Sequence, residues 1–313
     1  MKVSGFTMVR NAEKLYYPLV ESIKSILDMV DEYVVVIGNN DPDDGTLEMV
    51  ESIKSDKIKI YRSEWDFKAY PGGSELAHQT DIAKSYCTGD WLFYLQADEI
   101  VDAKEHLSIR HACMMNLHNK EVEGLIFRYL HFWGDYNHAF VDSHAWYRRE
   151  IRIIRNLPDI HSWRDAQSFR VIPDFTKEKY LQKEGTRKLN VAEIDAHIYH
   201  YGWVRPPQLM GKKQIYFEDC YKDDNKAHTE EVVISEMDFG AMELIPKYKG
   251  THPAIMKDRI AQFNWGDKLN YTHKLGRKPK HKHEKLKYKL LTWIEHKWFK
   301  NGVFVFKNYE VLS

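Results

Sequence analysis

Four things are scarce in this sequence, and each absence closes off a class of function. Cysteine is the first: the 313 residues hold three, Cys87, Cys113 and Cys220, far apart and in no Cys-x-x-Cys pair. That excludes a disulfide scaffold and a cysteine-based zinc site, and points to a reducing compartment. Net charge is the second. The 46 basic and 46 acidic residues cancel, so no global field argues for nucleic acid as a partner. The third is apolar length. No run approaches the thickness of a bilayer, and "MKVSGFTMVRNAEKLYY" enters a strand almost at once, with no apolar signal region. A cytoplasmic chain is expected. The fourth is a glycine-rich, basic phosphate loop near the N-terminus. Its absence from "SGFTMVRNAEK" counts against a nucleotidyltransferase.

What is present begins with an ordinary globular balance, 43% hydrophobic and 29% charged, in a chain long enough to bury a core. Nine Trp, nineteen Tyr and fourteen Phe allow a stacking platform for a base or a sugar. The first hundred residues alternate strand and helix. Residues 3–9 read as a strand, and 18–30 space their apolar residues as an amphipathic helix. The continuous β-branched run "EYVVVIG" at 32–38 marks a strand buried on both faces of a parallel sheet. A polar loop, "NNDPDDGT", precedes a helix at 47–55, a strand at 57–63, a helix at 72–87 after a Gly-Gly turn, and a strand at 90–99. This rhythm predicts a doubly wound α/β half-domain. Beyond residue 104 the pattern loosens, with a helix expected at 106–118, strands at 123–134 and 149–156, and charged helical character over 208–250. No internal repeat or low-complexity linker separates the parts.

In such sheets ligands sit beyond the carboxyl ends of the strands. The loops at Arg10, Asn39, Trp65 and Asp98 all fall there. The stretch "FYLQADEIV", 93–101, therefore raises a pointed question. A buried strand runs straight into two adjacent carboxylates, Asp98 and Glu99, where a solvated turn would serve as well.

These segments together resemble the nucleotide-binding half of a family 2 glycosyltransferase of the GT-A fold. The resemblance lies in "GFTMVRNAEKL", the Asp-rich "NNDPDDGT" and "GGSELAHQTDIAKSYCTGDWLFYLQADE"; it covers roughly residues 3–101 and weakens toward 205. It implies a GT-A-like Rossmann-type mixed sheet flanked by helices, with a helical C-terminal extension. It divides the chain into a nucleotide-sugar half (1–101), an acceptor and catalytic half (102–207) and a basic extension (208–313). The implied activity is inverting transfer of a sugar from a nucleotide-diphosphate sugar to a hydroxyl of a glycan or lipid-linked acceptor, in surface polysaccharide or lipopolysaccharide assembly. A non-catalytic nucleotide- or glycan-binding relative is the other alternative.

Residue by residue, the resemblance implies nucleotide contacts from Thr7, Arg10, Asn39, Asp41, Gln79, Gln96 and Asp98, with Asp43 and Asp44 competing for the role of Asp41. A departing diphosphate is stabilised by a divalent cation, and hard oxygen ligands suit Mn²⁺ or Mg²⁺. Asp98 stands at the metal-holding Asp of the family motif, and His200 is preferred to His197 as a second ligand. Gln96 replaces the motif's first Asp; its amide can hydrogen-bond a ribose hydroxyl but brings no charge. The general base is expected at Asp165 in "SWRDAQSFR", with Glu99 in reserve. Finally, ten Lys or Arg between 274 and 300 surround "LLTWIEHKWF". That composition reads either as a peripheral foot on the anionic inner face of a membrane or as a packed C-terminal helix.

Overall fold

The computed structural model describes residues 1–221, 235–272, 278–298 and 307–312. The first hundred residues build the expected α/β units: β1 (Val3–Val9), α1 (Leu19–Leu27), β2 (Glu32–Ile37), α2 (Thr46–Glu51), β3 (Ile58–Arg62), α3 (Ser74–Ser85) and β4 (Trp91–Tyr94). Strands β3, β2, β1 and β4 lie side by side, all parallel. Every residue of β2 is buried, which is what an uninterrupted β-branched run requires. Along β1 and β4 the side chains alternate between two cores. Val3, Val9, Trp91 and Phe93 face α1, whose Leu19, Ile23 and Ile26 meet them; Phe6, Leu92 and Tyr94 face α3.

The sheet then continues through the second half of the chain. After β5 (Glu99–Ile100) and α4 (His106–Met115) come β6 (Gly124–Trp133), β7 (Ala139–Val141), β8 (Arg149–Arg155), β9 (Ile160–Trp163), β10 (Ser168–Val171) and the long β11 (Arg187–Trp203). The path across the sheet is β3-β2-β1-β4-β8-β6-β11-β10-β9. β8 runs antiparallel to β4 and to β6, and β11 runs parallel to β6. The expected fold class, a mixed α/β sheet flanked by helices, is therefore the one observed. After β11 follow α5 (Pro207–Tyr221), α6 (Lys257–Ala261), α7 (Leu286–Trp298) and the short β12 (Tyr309–Val311). Helix was expected throughout 208–250. Residues 207–221 are helical, 235–250 hold one 3-10 turn at Met242–Leu244, and 222–234 lie outside the described residues.

Consecutive strands step from β1 to β2 and β3 on one side, and the chain then returns to lay β4 on the other side of β1. The crevice at the carboxyl ends of β1 and β4 is the topological switch point, where ligands settle in open α/β sheets. What fixes the turn at its floor is Glu99. Its two oxygens accept from Arg152 Nε and Nη2, each at 2.7 Å, and Oε1 also accepts from the Tyr129 hydroxyl at 2.7 Å. Both charged side chains are fully buried, and the Arg152 guanidinium lies over the Tyr94 and Tyr129 rings. Glu99 thus ties the end of β4 to β8 and β6. It is a structural ion pair, and the reserve assignment as a base is corrected: neither oxygen reaches the crevice.

Removing one member of a buried pair leaves an uncompensated charge. Glu99→Gln is expected to lower stability by about 3 kcal/mol, read as a shift of the urea midpoint. Glu99→Gln combined with Arg152→Gln should recover part of that loss; equal midpoints for parent and single variant would show that the pair anchors nothing.

Candidate active site

A cavity of about 410 Å³ opens at the switch point. Its floor comes from the end of β1 (Met8, Val9, Arg10) and the turn after β4 (Gln96, Ala97, Asp98). Trp65 and Tyr17 form one side, the β9–β10 turn contributes Asp165 and Gln167, and β11 contributes His200 and Trp203. Helix α5 closes it with Met210, Lys213, Gln214, Tyr216 and Phe217. Gln96, Ala97 and Asp98 reach the cavity because the strand ends at Tyr94 and the chain turns there.

Asp98 is nearly buried and sits among cations. Lys213 Nζ donates to its Oδ2 at 2.9 Å, and Arg205 Nη2 lies 3.8 Å from the same oxygen. Burial would raise the Asp98 pKa, but Lys213, His200 and Arg205 outweigh it and hold the carboxyl well below the usual carboxylate range. Burial, with Arg205 adding to it, lowers the Lys213 pKa to about 8 while Asp98 opposes the fall. Lys213 therefore remains an ammonium at neutral pH. Its second donated bond goes to the Gly202 carbonyl at 3.0 Å, and the ammonium lies 4.9 Å from the centre of the Tyr17 ring and 5.4 Å from that of Phe217.

His200 approaches Asp98 from β11, with Nε2 3.8 Å from Oδ1, too far for a hydrogen bond. Its protonation follows from a chain of contacts. The Tyr147 carbonyl, which can only accept, is 2.8 Å from His131 Nε2, so that nitrogen carries the hydrogen. Burial holds His131 far below its usual pKa, leaving a lone pair on its Nδ1. His200 Nδ1 must then donate across the 3.0 Å gap between the two rings. Since burial also lowers the pKa of His200, the ring is neutral and its Nε2 turns a lone pair toward the cavity. Gly202 is what permits this crowding. A Cβ there would fall 2.4 Å from His200 Nε2 and 2.9 Å from Asp98 Oδ2.

The divalent cation implied by the sequence does not fit this donor set. Asp98 and His200 are brought together as expected, yet the carboxylate is already engaged by Lys213 and faced by Arg205. A dication on Oδ2 would meet two fixed positive charges. Among the described residues no group of three His, Cys, Asp or Glu could hold a metal ion, and the amide of Gln96, whose Nε2 donates to the Ala166 carbonyl, adds no charge.

The remaining expected residues divide. Arg10 lines the cavity, held by the Asn39 carbonyl at 2.9 Å and stacked on Tyr216. Asn39 itself, with Asp44, lines a neighbouring, more open concavity. Asp165 lines the cavity and accepts from the Tyr221 hydroxyl at 2.8 Å; burial and this carboxylate raise the Tyr221 pKa, so the phenol stays a donor. Three assignments are corrected. Thr7 is fully buried and does not line the cavity; by the parity of β1 it shares a face with Val3, which packs in the α1 core. Gln79 is likewise buried, its amide spent on the Glu64 carbonyl, Glu75 and Ser63. Asp41 pairs with Lys14 and Asn11 and does not line the cavity. His197 pairs with Glu105 on the far side of β11. Sequence reasoning missed Lys213, Arg205 and Tyr17. A signal for Lys213 existed: it shares one helical face with Met210 and Phe217, three and four residues away, so a lysine occupies the apolar stripe of α5.

No model of a known protein family matches the chain, and no curated protein matches it in sequence. Solved structures with partial likeness include residues 1–349 of S. aureus TarS, at 19% identity and a TM-score of 0.31 over 50% of this chain and 47% of that one. Glucosyl-3-phosphoglycerate synthase from Mycobacterium tuberculosis, in complex with Mn²⁺, UDP-glucose and glycerol 3-phosphate, reaches 16% and 0.30 over 41% and 44%. The mannosyltransferase PcManGT from Pyrobaculum calidifontis, with GDP-mannose and Mn²⁺, reaches 21% and 0.30 over 40% and 34%. The chain spans less than half the length of each, and overlaps this partial decide nothing about its chemistry.

Gly202→Ala is expected to force His200 and Asp98 apart and to cost about 1–3 kcal/mol of stability, as overpacking does. Urea denaturation checks it; an unchanged midpoint would mean that the cluster is looser than these distances.

Proposed function

We propose that the chain is a glycosyltransferase that moves a sugar from a nucleotide-diphosphate sugar to a hydroxyl acceptor, with inversion at the anomeric carbon. The carrying observation is a single cavity at the switch point that combines aromatic walls (Tyr17, Trp65, Tyr216), a buried cation, Lys213, and a carboxylate, Asp165, on a separate turn. Aromatic faces suit a base or a sugar ring, and cations suit a diphosphate. In this reading the acceptor oxygen attacks the anomeric carbon and Asp165 takes its proton. The bond from that carbon to the phosphate oxygen breaks on the opposite face, and the nucleoside diphosphate departs with the electron pair. Asp165 is preferred to His200 as the base because the histidine lies against Asp98 and Lys213, on the side assigned to the diphosphate.

The surface-polysaccharide setting, with a lipid-linked or glycan acceptor, belongs to the same proposal, and α7 supports a membrane contact. Its inward face carries Glu295, fully buried against Arg148 and His144. Its outward face carries Leu286, Leu290 and Trp293, which are 80%, 53% and 51% exposed, and Trp298, 61% exposed, closes its end. Exposed Lys282, Lys285, Lys287, Lys289 and Lys297 surround this stripe. An apolar ridge in a basic field is the pattern of an interfacial helix on an anionic bilayer. The rest of the basic tail, 273–277 and 299–306, lies outside the described residues.

Two experiments test these readings. Asp165→Asn should cut turnover about 10²–10⁴-fold with donor affinity unchanged in calorimetry; near-normal transfer retires the assignment. A panel of sugar nucleotides tests the class: slow release of nucleoside diphosphate supports a transferase, pyrophosphate release a nucleotidyltransferase, and binding without turnover a non-catalytic relative. For the membrane contact, the parent should float with phosphatidylglycerol vesicles at low salt. Leu290→Glu combined with Trp293→Glu should not float, at an unchanged melting temperature. A parent that stays at the bottom of the gradient ends that part of the proposal.

A further inference from the structure

The floor of the cavity carries a charge imbalance that the ion pair alone does not explain. One carboxylate, Asp98, is faced by two cations, Lys213 and Arg205, all three nearly or fully buried. His200, which donates from Nδ1 to His131, brings no negative charge to the cluster. Glu99 is taken up by Arg152. The cluster therefore holds a surplus of one positive charge away from bulk water, and a buried surplus charge calls for an anionic partner. Lys213 Nζ spends two donors, on Asp98 and on the Gly202 carbonyl; an ammonium has three. Lys213 lines the cavity, while Arg205 is fully buried and does not line it.

We propose that Lys213, held by Asp98 and reinforced by Arg205, is the cation that receives the diphosphate of the donor, in the position where a divalent metal would otherwise be expected. Asp98 then works as the bracket of an ammonium rather than as a metal ligand. When the bond between anomeric carbon and phosphate oxygen breaks, the electron pair stays on that oxygen, and the third N–H of Lys213 hydrogen-bonds to the growing charge. Lys213 keeps its proton; the only proton transferred is the acceptor's, to Asp165. This inference rests on the transferase reading above and adds to it that the transfer needs no added metal.

The test uses UDP and GDP as probes, measured by calorimetry against the full-length protein, in EDTA and then in Mn²⁺. The parent should bind one of them with the same affinity in both. Lys213→Ala should lose roughly ten- to a hundredfold in EDTA, the range set by a hydrogen bond to a charged group, and should regain part of it with Mn²⁺, because the freed Asp98 carboxylate now accepts a cation. Lys213→Arg, which keeps the charge, should retain metal-independent binding. Mn²⁺ alone, followed by electron paramagnetic resonance, should stay free with the parent and bind to Lys213→Ala. A parent that binds the nucleotide only with Mn²⁺ overturns the inference and leaves the transferase reading standing. So does a folded Lys213→Ala that binds as the parent does. A parent that binds neither nucleotide in either buffer overturns the transferase reading, and this inference with it. The arms on the parent need no variant to fold.

Discussion

The bidentate pair between Glu99 and Arg152 is the constraint on which the cavity depends. A strand end is ordinarily the loosest part of a sheet, because its last backbone groups lose their ladder partners. Here the turn after β4 is fastened from below: Glu99 reaches across to Arg152 on β8 and to the Tyr129 hydroxyl on β6, and also accepts from the Gln96 backbone N–H at 3.1 Å. Such a pair adds little net stability over apolar packing and is costly to break. What it supplies is position. With Glu99 fixed, its neighbour Asp98 is presented on the opposite side of the chain, into the crevice between β1 and β4. The two adjacent carboxylates of "QADE" thus divide the work, one anchoring and one serving the cavity.

The parts of this arrangement that were legible in the sequence are those governed by local periodicity. The β-branched run of β2, the amphipathic spacing of α1 and the Gly-Gly entry to α3 each specify their element from within a dozen residues. The two glycines adopt φ +63° and +83°, left-handed values that other residues rarely take, and a Cβ on Gly73 would lie 2.8 Å from the Tyr221 ring. Switch-point logic then locates the crevice and picks out Arg10, Trp65 and Asp98, to which the resemblance adds Gln96. Two of the failures share a physical source. Thr7 and Gln79 sit on the right elements but on the wrong faces, and in a strand a single residue of parity turns a side chain from crevice to core. Asp41 was assigned through the resemblance alone, and its carboxylate is taken up by Lys14 and Asn11.

Lys213 and Arg205 were invisible for a different reason. They lie more than a hundred residues from Asp98, and nothing local to either position reveals the contact. What the sequence does hold is an inconsistency, a lysine on the apolar stripe of α5. A buried ammonium is expensive unless a carboxylate meets it, so a lysine on that stripe implies a buried carboxylate elsewhere in the chain. The nearly buried Asp98 at the strand end is that carboxylate. Each charge is unfavourable where its own segment places it and becomes tolerable through the other.

That mutual dependence also separates a tethered cation from a bound metal. A metal arrives with the nucleotide and leaves with it, so the site alternates between an exposed carboxylate and a neutralised one. An ammonium on a helix is always present, and the surplus positive charge is built in before any ligand comes. The cost of desolvating Lys213 is met during folding through Asp98, Gly202 and the Tyr17 and Phe217 rings. Preorganised donors of this kind need no rearrangement when charge develops on a leaving group. The same preorganisation fixes where that charge can be received, because α5 is pinned to the start of α3 by the bond from the Gly73 amide to the Cys220 carbonyl at 2.9 Å. Placement of the leaving diphosphate therefore follows from the packing of α5 on the sheet, and any change that tilts this helix moves the cation with it.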